Sequence, residues 1–132
     1  MARAEPAEAV YVERLDLAAA GYYLVPFYAE ETLTGIVEVD AQSCRVTKSG
    51  VIGREGVPFM LEPAAAIRAA AAALGSSDPG KPWLAWRPCK ESFESFLPFW
   101  TIDCGGNRLY VDQAGKVHKT LTITGKGGGS AT

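Results

Sequence analysis

Hydrophobic and polar residues alternate along several short stretches of the chain, which is the pattern of a half-buried β-strand. Residues 35–40 read Gly-Ile-Val-Glu-Val-Asp, and residues 22–29 are rich in tyrosine, valine and phenylalanine. Residues 31–34 and 41–43 are predicted turns beside these strands. With residues 44–48 as a third strand, this part of the chain predicts an antiparallel β-meander.

A second meander is predicted nearer the end of the printed sequence. Its hairpin loop is Cys-Gly-Gly-Asn at residues 104–107, because glycine accepts the positive φ that tight hairpins need. Another turn is expected at residues 113–115. The predicted strands of this half are residues 97–103, 108–112 and 116–124, and short strands at residues 11–17 and 83–86 precede the two meanders.

One helix is predicted between the meanders. Eight of the ten residues from 64 to 73 are alanine, the best helix former. Glu62 is the predicted cap, Pro63 the first helical residue and Gly75 the stop. Ile67, Ala71 and Leu74 form its expected apolar stripe.

The two meanders match each other weakly at an offset of 72 residues, which predicts an internal repeat. Aspartate opens the second turn in each copy, where its side chain is expected to hold the turn by bonding the backbone. The predicted organisation is residues 1–54 as the first copy, 55–124 as the helix and second copy, and 125–132 as a flexible tail, all within one compact domain. The first copy lacks the helix, so we expect the natural protein to extend upstream. The matched pairs are Pro26 with Pro98, Phe27 with Phe99, Tyr28 with Trp100, Val39 with Val111, and Asp40 with Asp112.

These segments resemble the PepSY-like group of small domains, through a tyrosine-rich strand followed by a turn of the form V-D-x-x-x-G-x-V. Residues 21–27 carry the strand, and residues 109–117 carry the turn with Gly115 and Val117. The first copy departs from the turn, because Ser43 and Cys44 stand near the position of the glycine. The resemblance implies an α+β fold and a non-catalytic binding role at the cell envelope or exterior, and it carries no catalytic residues.

Composition narrows the classes of function. The chain has 132 residues, 48% of them hydrophobic and 21% charged, with a net charge of −2. This balance lacks the dense basic face of a nucleic-acid-binding protein, and no apolar run is long enough to insert into a membrane. The three cysteines lack metal-binding spacing and favour free thiols, an odd count more typical of the cytoplasm. The compartment is therefore left open.

The densest unusual segment is aromatic and lies near residues 83–100, which contain all three tryptophans. One interpretation is a groove for a peptide or a flat anionic ligand; the other is the core of a small domain. Since residues three apart face opposite ways on a strand, we expect one tryptophan of the first pair at the surface. The candidate ligand-binding residues are Trp83, Trp86, Arg87, Cys89 and Lys90.

A cysteine nucleophile is the alternative chemistry. Arg87 and Lys90 are expected to lower the pKa of the Cys89 thiol, and His118 with Asp112 would complete a triad. Against it, His118 lies on an alternating strand and is expected to face water.

The sequence predicts an α+β fold in which two antiparallel meanders share one helix. We predict a non-enzymatic binding module that recognises a peptide or protein partner through strand edges and the aromatic segment. No cofactor and no metal is predicted, and the unmatched sheet face favours a homodimer or a partner that covers it. The alternatives are a small-molecule binding or sequestering protein and, second, the cysteine enzyme.

Overall fold

The structure, a computed structural model, describes residues 3–17, 20–52, 56, 58–75 and 79–123. The chain divides into two compact units, residues 1–59 (unit 1) and 60–132 (unit 2). Within the described ranges it forms nine strands and one helix, so the predicted α+β class is confirmed. The predicted boundary near residue 54 and the predicted tail, residues 125–132, lie outside the described residues.

Unit 1 is an antiparallel meander. Strand β3 pairs with β2 on one side and with β4 on the other, β5 follows β4, and the short β1 also pairs with β3. Tyr23 lies opposite Val39, and Val25 lies opposite Val37. The strands are β1 (Glu5–Pro6), β2 (Val10–Arg14), β3 (Gly21–Ala29), β4 (Thr32–Asp40) and β5 (Val46–Val51).

Three predicted bounds in unit 1 are wrong. The strand expected at residues 11–17 is β2 (Val10–Arg14), which ends three residues earlier. The turn after β3 is Glu30-Glu31 rather than residues 31–34, because Glu30 takes the left-handed conformation with φ 60° and the chain reverses there. Strand β5 begins at Val46 rather than at Cys44. Cys44 has φ 61° and its amide donates to the Asp40 carbonyl at 2.9 Å, so it belongs to the turn.

Unit 2 is a second antiparallel meander with the helix packed on it. Its strand order follows the chain, and α1 contacts β7, β8 and β9. The hairpin between β7 and β8 turns on Gly105 and Gly106, whose φ values of 54° and 88° suit a two-residue loop. The elements are α1 (Pro63–Leu74), β6 (Trp83–Trp86), β7 (Phe99–Cys104), β8 (Asn107–Val111) and β9 (Val117–His118).

The helix bounds are confirmed. α1 begins at Pro63 after Glu62 and ends at Gly75, which is left-handed with φ 64°. Its buried centre differs from the predicted stripe, because Ala66 and Ala70 are fully buried while the predicted stripe residues are only partly so. Small side chains at the contact let the helix lie close to the sheet. No helix in the described part of the chain is long and apolar enough to span a membrane.

The predicted strands at residues 97–103 and 116–124 are shorter in the structure. Strand β7 starts only at Phe99, because the Leu97 amide donates to the Glu94 carbonyl at 2.9 Å and forms a turn. Strand β9 ends at His118. Beyond β9, the Thr122 amide donates to the Glu91 carboxylate, and the Thr122 carbonyl accepts from the Lys90 amide. This stretch therefore pairs with the loop at residues 90–91 rather than with β8. Residue 124 lies outside the described residues.

Candidate functional site

Two aspartates hold corresponding turns in the two meanders, as predicted. Asp40 Oδ2 accepts a hydrogen bond from the Ser43 amide at 2.8 Å. Asp112 Oδ1 accepts from the amides of Ala114 and Lys116 at 3.0 and 2.9 Å. Both carboxylates are held in the ionised form, since these bonds lower the pKa of Asp40 and contribute to the lowered pKa of Asp112.

The backbone of the two turns also corresponds. The amide of Asp40 donates to the Arg45 carbonyl at 2.9 Å, and that of Asp112 donates to the Lys116 carbonyl at 2.9 Å. In each case the amide points towards the following strand. Along a strand, the direction of the amide and the face of the side chain alternate together. Relative to the direction of its own strand, Val39 therefore lies on the same side of its meander as Val111 does of the other.

One face of unit 1 is apolar and open. Alternate residues of β3, beginning at Tyr22, are buried on the opposite face, whereas Tyr23 is 41% exposed. Paired residues of neighbouring strands share a face, so the register extends this surface across the meander. Val46 and Val51 at its margin are 63% and 90% exposed. We call this surface the apolar face; it comprises Tyr11, Tyr23, Val25, Phe27, Val37, Val39, Val46 and Val51.

The described part of unit 1 contains no helix to cover the apolar face. Apolar side chains grouped on one surface cost free energy in water and are typical of an interaction site. Four inner members of the face, on β3 and β4, are only half-buried by their neighbours; these are Val25, Phe27, Val37 and Val39.

Two tyrosines form a fixed ridge on this face. The rings of Tyr11 and Tyr23 lie 5.3 Å apart with an interplanar angle of 62°, a favourable edge-to-face arrangement. The Tyr11 ring also lies directly over Gly21, where a Cβ atom would overlap its hydroxyl end. The two rings therefore support each other on this face, and the Tyr11 ring also rests on Gly21.

In unit 2 the helix covers one face of the sheet. Ala66 and Ala70 pack into a buried cluster with side chains of β7 and β8. Trp100 lies opposite Val111, and Val111 lies opposite Val117. Val111 directly precedes Asp112, as Val39 directly precedes Asp40. The sheet residues of the cluster are Ile102, Cys104, Leu109 and Val111, with Trp100 and Val117 partly buried against it.

The two candidate tryptophans lie in unit 2 with different environments. Trp86 is buried, and its indole nitrogen donates to the Ser92 carbonyl at 3.2 Å. Trp83 is half-buried, and the Arg108 guanidinium lies 4.9 Å from the centre of its ring. Trp86 therefore stabilises the interior, while Trp83 keeps a partly accessible edge.

The other three candidate residues also differ in exposure. Cys89 is fully buried, Arg87 is half-buried with its Nε sealed from solvent, and Lys90 is exposed. Cys89 and Trp86 consequently do not line a surface groove. The ligand-binding role of the five residues stays a prediction, and of the three Lys90 has the clearest access to solvent.

The expected lowering of the Cys89 pKa is wrong. Burial raises the pKa of this thiol, and the nearby charge of Arg87 does not compensate. The thiol lies 3.6 Å from the Ser92 carbonyl, to which it donates. At neutral pH Cys89 therefore remains protonated, which is unsuitable for a nucleophile.

His118 does not face water as expected. Its Nε2 lies 2.9 Å from Asp112 Oδ2, and its ring meets the Phe99 ring edge-on at 6.1 Å. A carboxylate can only accept, so Nε2 carries the proton in this pair. Burial alone would raise the pKa of Asp112. The hydrogen bonds from His118 and from the turn amides outweigh this effect, so the pKa of Asp112 is lowered.

Sequence reasoning expected an uncovered sheet face in the first copy but did not identify its residues, because both faces of β3 are apolar. The signal lay in the pairing of residues 23 and 25 with residues 39 and 37, which needs the register rather than the alternation. In the part of the chain that the structure describes, no group of three or more histidine, cysteine, aspartate or glutamate side chains is placed to hold a metal ion.

Comparison of this chain with protein-family models, with curated proteins and with solved structures finds no match.

Proposed function

We propose that this chain is a non-enzymatic binding module whose apolar face in unit 1 docks an amphipathic helix of a protein partner. The observation that carries the proposal is the correspondence between the apolar face and the face of unit 2 that α1 covers. The proposal keeps the PepSY-like binding role and the predicted match of Val39 with Val111. It matches Trp100 with Tyr23 rather than with Tyr28, and it assigns the recognition to a defined surface.

The correspondence extends across three strand pairs. Each turn aspartate follows a valine, and each valine lies opposite another valine of the next strand. On the other side, Val39 lies opposite Tyr23, and Val111 lies opposite Trp100. Each of these aromatic residues is also paired with a residue of the preceding strand, Tyr11 in unit 1 and Leu84 in unit 2. The matched residues are Tyr11 with Leu84, Tyr23 with Trp100, Val25 with Ile102, Val37 with Leu109, Val39 with Val111, and Val46 with Val117.

A helix with small residues suits the apolar face better than a second large-residue surface does. In unit 2 the helix contributes alanine where the sheet contributes Trp100 and Leu109. The apolar face likewise presents bulky side chains at Tyr11, Tyr23 and Phe27. Large residues on a sheet pack to interior density when the opposing element carries small ones.

The available energy is adequate for a specific complex. Fully burying an exposed valine or phenylalanine side chain contributes about 1.5–3 kcal/mol. On the apolar face Val46 and Val51 are exposed, and its inner valines and Phe27 are half-buried and gain a part of this energy, so docking can offset the cost of immobilising a partner. The contact between the Tyr11 and Tyr23 rings restricts their rotamers and so reduces the side-chain entropy lost on docking.

The test uses a synthetic helix with the sequence of residues 60–75. A hydrocarbon staple joins the exposed positions 68 and 72, which leaves Ala66 and Ala70 free to contact the sheet. Binding of the labelled peptide to the full chain is measured by fluorescence anisotropy. The control peptide carries Ala66→Glu and Ala70→Glu and is expected not to bind.

Matched variants of the full chain locate the site. Tyr23→Lys and Val46→Lys should each weaken binding about tenfold or more, which corresponds to about 1.4 kcal/mol. Ile123→Lys, at a position of unit 2 that is 50% exposed, should leave binding unchanged. Circular dichroism confirms that each variant is folded.

Three results would overturn the proposal. The first is the absence of saturable binding, and the second is binding that Tyr23→Lys does not weaken. The third is a stable dimer in sedimentation equilibrium that Tyr23→Lys dissociates, because a second copy of the chain would then occupy the face.

A further inference from the structure

A second apolar surface lies in unit 2, away from the helix-covered face. It is a cleft of about 370 Å³ between the loop that precedes β7 and the turn that follows β8. Phe93 is 74% exposed and Leu97 is 47% exposed at this cleft. A volume of this size is at the small end of ligand sites and takes one or two side chains.

The loop that presents Phe93 is held in place. The Ser92 hydroxyl donates to the Leu97 carbonyl at 2.9 Å, and the Leu97 amide donates to the Glu94 carbonyl at 2.9 Å. The indole of Trp86 anchors the same loop through the Ser92 carbonyl. Phe93 is therefore exposed on an ordered support, which is how an interface anchor is presented.

The opposite wall is tied to this loop. Gln113, which lines the cleft, donates from Nε2 to the Pro98 carbonyl at 2.7 Å. The turn that contains Gln113 is fixed by Asp112 through the amides of Ala114 and Lys116. The width of the cleft is thus set by hydrogen bonds between its two walls.

The charges around the cleft are mostly negative. Glu91, Glu94 and Asp112 line it, and among its described lining residues Lys90 is the one with a cationic side chain. Hydrogen bonds from Thr122 lower the pKa of Glu91 despite the opposing effect of desolvation, and the pKa of Asp112 is lowered too. His118 bonds to Asp112 beside the cleft, and its charge also contributes to the lowered pKa of Glu91. The carboxylates of Glu91 and Asp112 therefore remain ionised at neutral pH.

An exposed aromatic ring beside carboxylates favours a cation that also has apolar surroundings. The face of a phenyl ring attracts an ammonium or guanidinium group. The three carboxylates already accept hydrogen bonds from Thr122, Phe96 and the turn amides, and their negative charge attracts the cation further. The carboxylates would repel an acidic ligand, and a purely apolar ligand would gain nothing from their charge.

We propose that the cleft binds a peptide segment of a protein partner in which an arginine or lysine adjoins a large apolar side chain. The apolar side chain packs between Phe93 and Leu97, and the cation lies towards the carboxylates. This site is separate from the apolar face of unit 1, so the two can be tested independently.

The probe is an acetylated and amidated hexapeptide that alternates leucine and arginine, with a fluorescent label. Its partner probe alternates leucine and glutamate. We expect the arginine peptide to bind the full chain saturably and the glutamate peptide not to bind. Added sodium chloride should weaken the binding, because the charges at the rim are exposed to screening.

Three variants define the site. Phe93→Ala should weaken binding about tenfold, and Glu94→Gln should weaken it less and reduce its dependence on salt. Ile123→Ala, another exposed apolar position of unit 2, should have no effect. Tyr23→Lys in unit 1 should also have no effect, which separates this result from the test of the proposed function.

Four results would overturn the inference. They are no binding of the arginine peptide, equal binding of both peptides, binding that Phe93→Ala leaves unchanged, and equal binding of a small alkylammonium ion that carries no peptide. The last would assign the cleft to a small molecule.

Discussion

His118 and Asp112 are joined by a hydrogen bond of 2.9 Å from imidazole Nε2 to carboxylate Oδ2. The bond connects β9 to the turn that follows β8, six residues earlier in the chain. Because Asp112 also accepts two amides of that turn, one carboxylate fixes both the turn and the strand after it. Removal of the Asp112 carboxylate should therefore destabilise both the turn and β9.

Replacing Asp112 tests this arrangement. Asp112→Ala removes three hydrogen bonds to a charged acceptor, and we expect it to lower the free energy of unfolding by roughly 1–3 kcal/mol. Asp112→Asn, which keeps the shape and one acceptor oxygen, should cost less. Urea unfolding followed by tryptophan fluorescence measures both. Equal stability of Asp112→Ala and the unaltered chain would show that the turn does not depend on this carboxylate.

The same carboxylate predicts a loss of stability in acid. The folded pKa of Asp112 lies below its unfolded value, so the folded state binds fewer protons and the ionised group stabilises it above about pH 4. As the pH falls through the folded pKa, this contribution is lost. The urea midpoint should fall between about pH 5 and about pH 2, and Asp112→Asn should flatten that fall.

Asp40→Asn is the matched control for the acid titration. The pKa of Asp40 is also lowered, first by the Ser43 amide, but its carboxyl is exposed. Solvent screening reduces the contribution of an exposed carboxylate to the free energy of unfolding. Asp40→Asn should therefore leave the pH dependence of stability nearly unchanged. A larger effect at Asp40 than at Asp112 would contradict the assignment.

The three thiols should react with iodoacetamide at different rates. Cys44 is exposed, whereas Cys89 and Cys104 are buried and the pKa of Cys89 is raised. Peptide mass mapping at neutral pH should show modification of Cys44 alone in the folded chain, and of all three in urea. Rapid modification of Cys89 would restore the cysteine-nucleophile interpretation.

Position 80 requires glycine, because the backbone of Asp103 lies directly against it. A Cβ atom there would stand 2.7 Å from the Asp103 carbonyl oxygen, to which the Gly80 amide donates at 2.8 Å. Gly80→Ala should cost about 1–3 kcal/mol of stability through this overlap.

Gly105→Asn provides the control for Gly80→Ala in a thermal melt. Gly105 has φ 54° and nothing within 4 Å of its Cβ position, and asparagine tolerates the left-handed conformation. We expect its melting temperature to stay close to that of the unaltered chain. The overlap argument fails if Gly80→Ala melts at the same temperature as Gly105→Asn.

The sequence predicted those parts of the fold whose signals are local. The helix ends are set by Pro63 and Gly75, residues whose own backbone preferences start and stop a helix. The aspartate turns are equally local, since Asp40 and Asp112 bond amides only two to four residues away. Such features depend little on the rest of the molecule.

Features that depend on distant residues could not be predicted in this way. The alternation after Val117 favoured a long strand, but Thr122 bonds to Glu91, 31 residues away, and ends the pairing with β8. The alternation predicts that His118 faces water, because it takes no account of Phe99, against which the His118 ring packs. The apolar face likewise needed the register of β3 with β4.

The central claim is that the apolar face of unit 1 docks a helix, and the most direct measurement is an amide nuclear magnetic resonance titration. The stapled peptide of residues 60–75 is added to the isotope-labelled full chain. We predict shifts concentrated at Tyr11, Tyr23, Val39 and Val46, with none at Phe93. Shifts confined to the cleft at Phe93, or no shifts at saturating peptide, would contradict the claim.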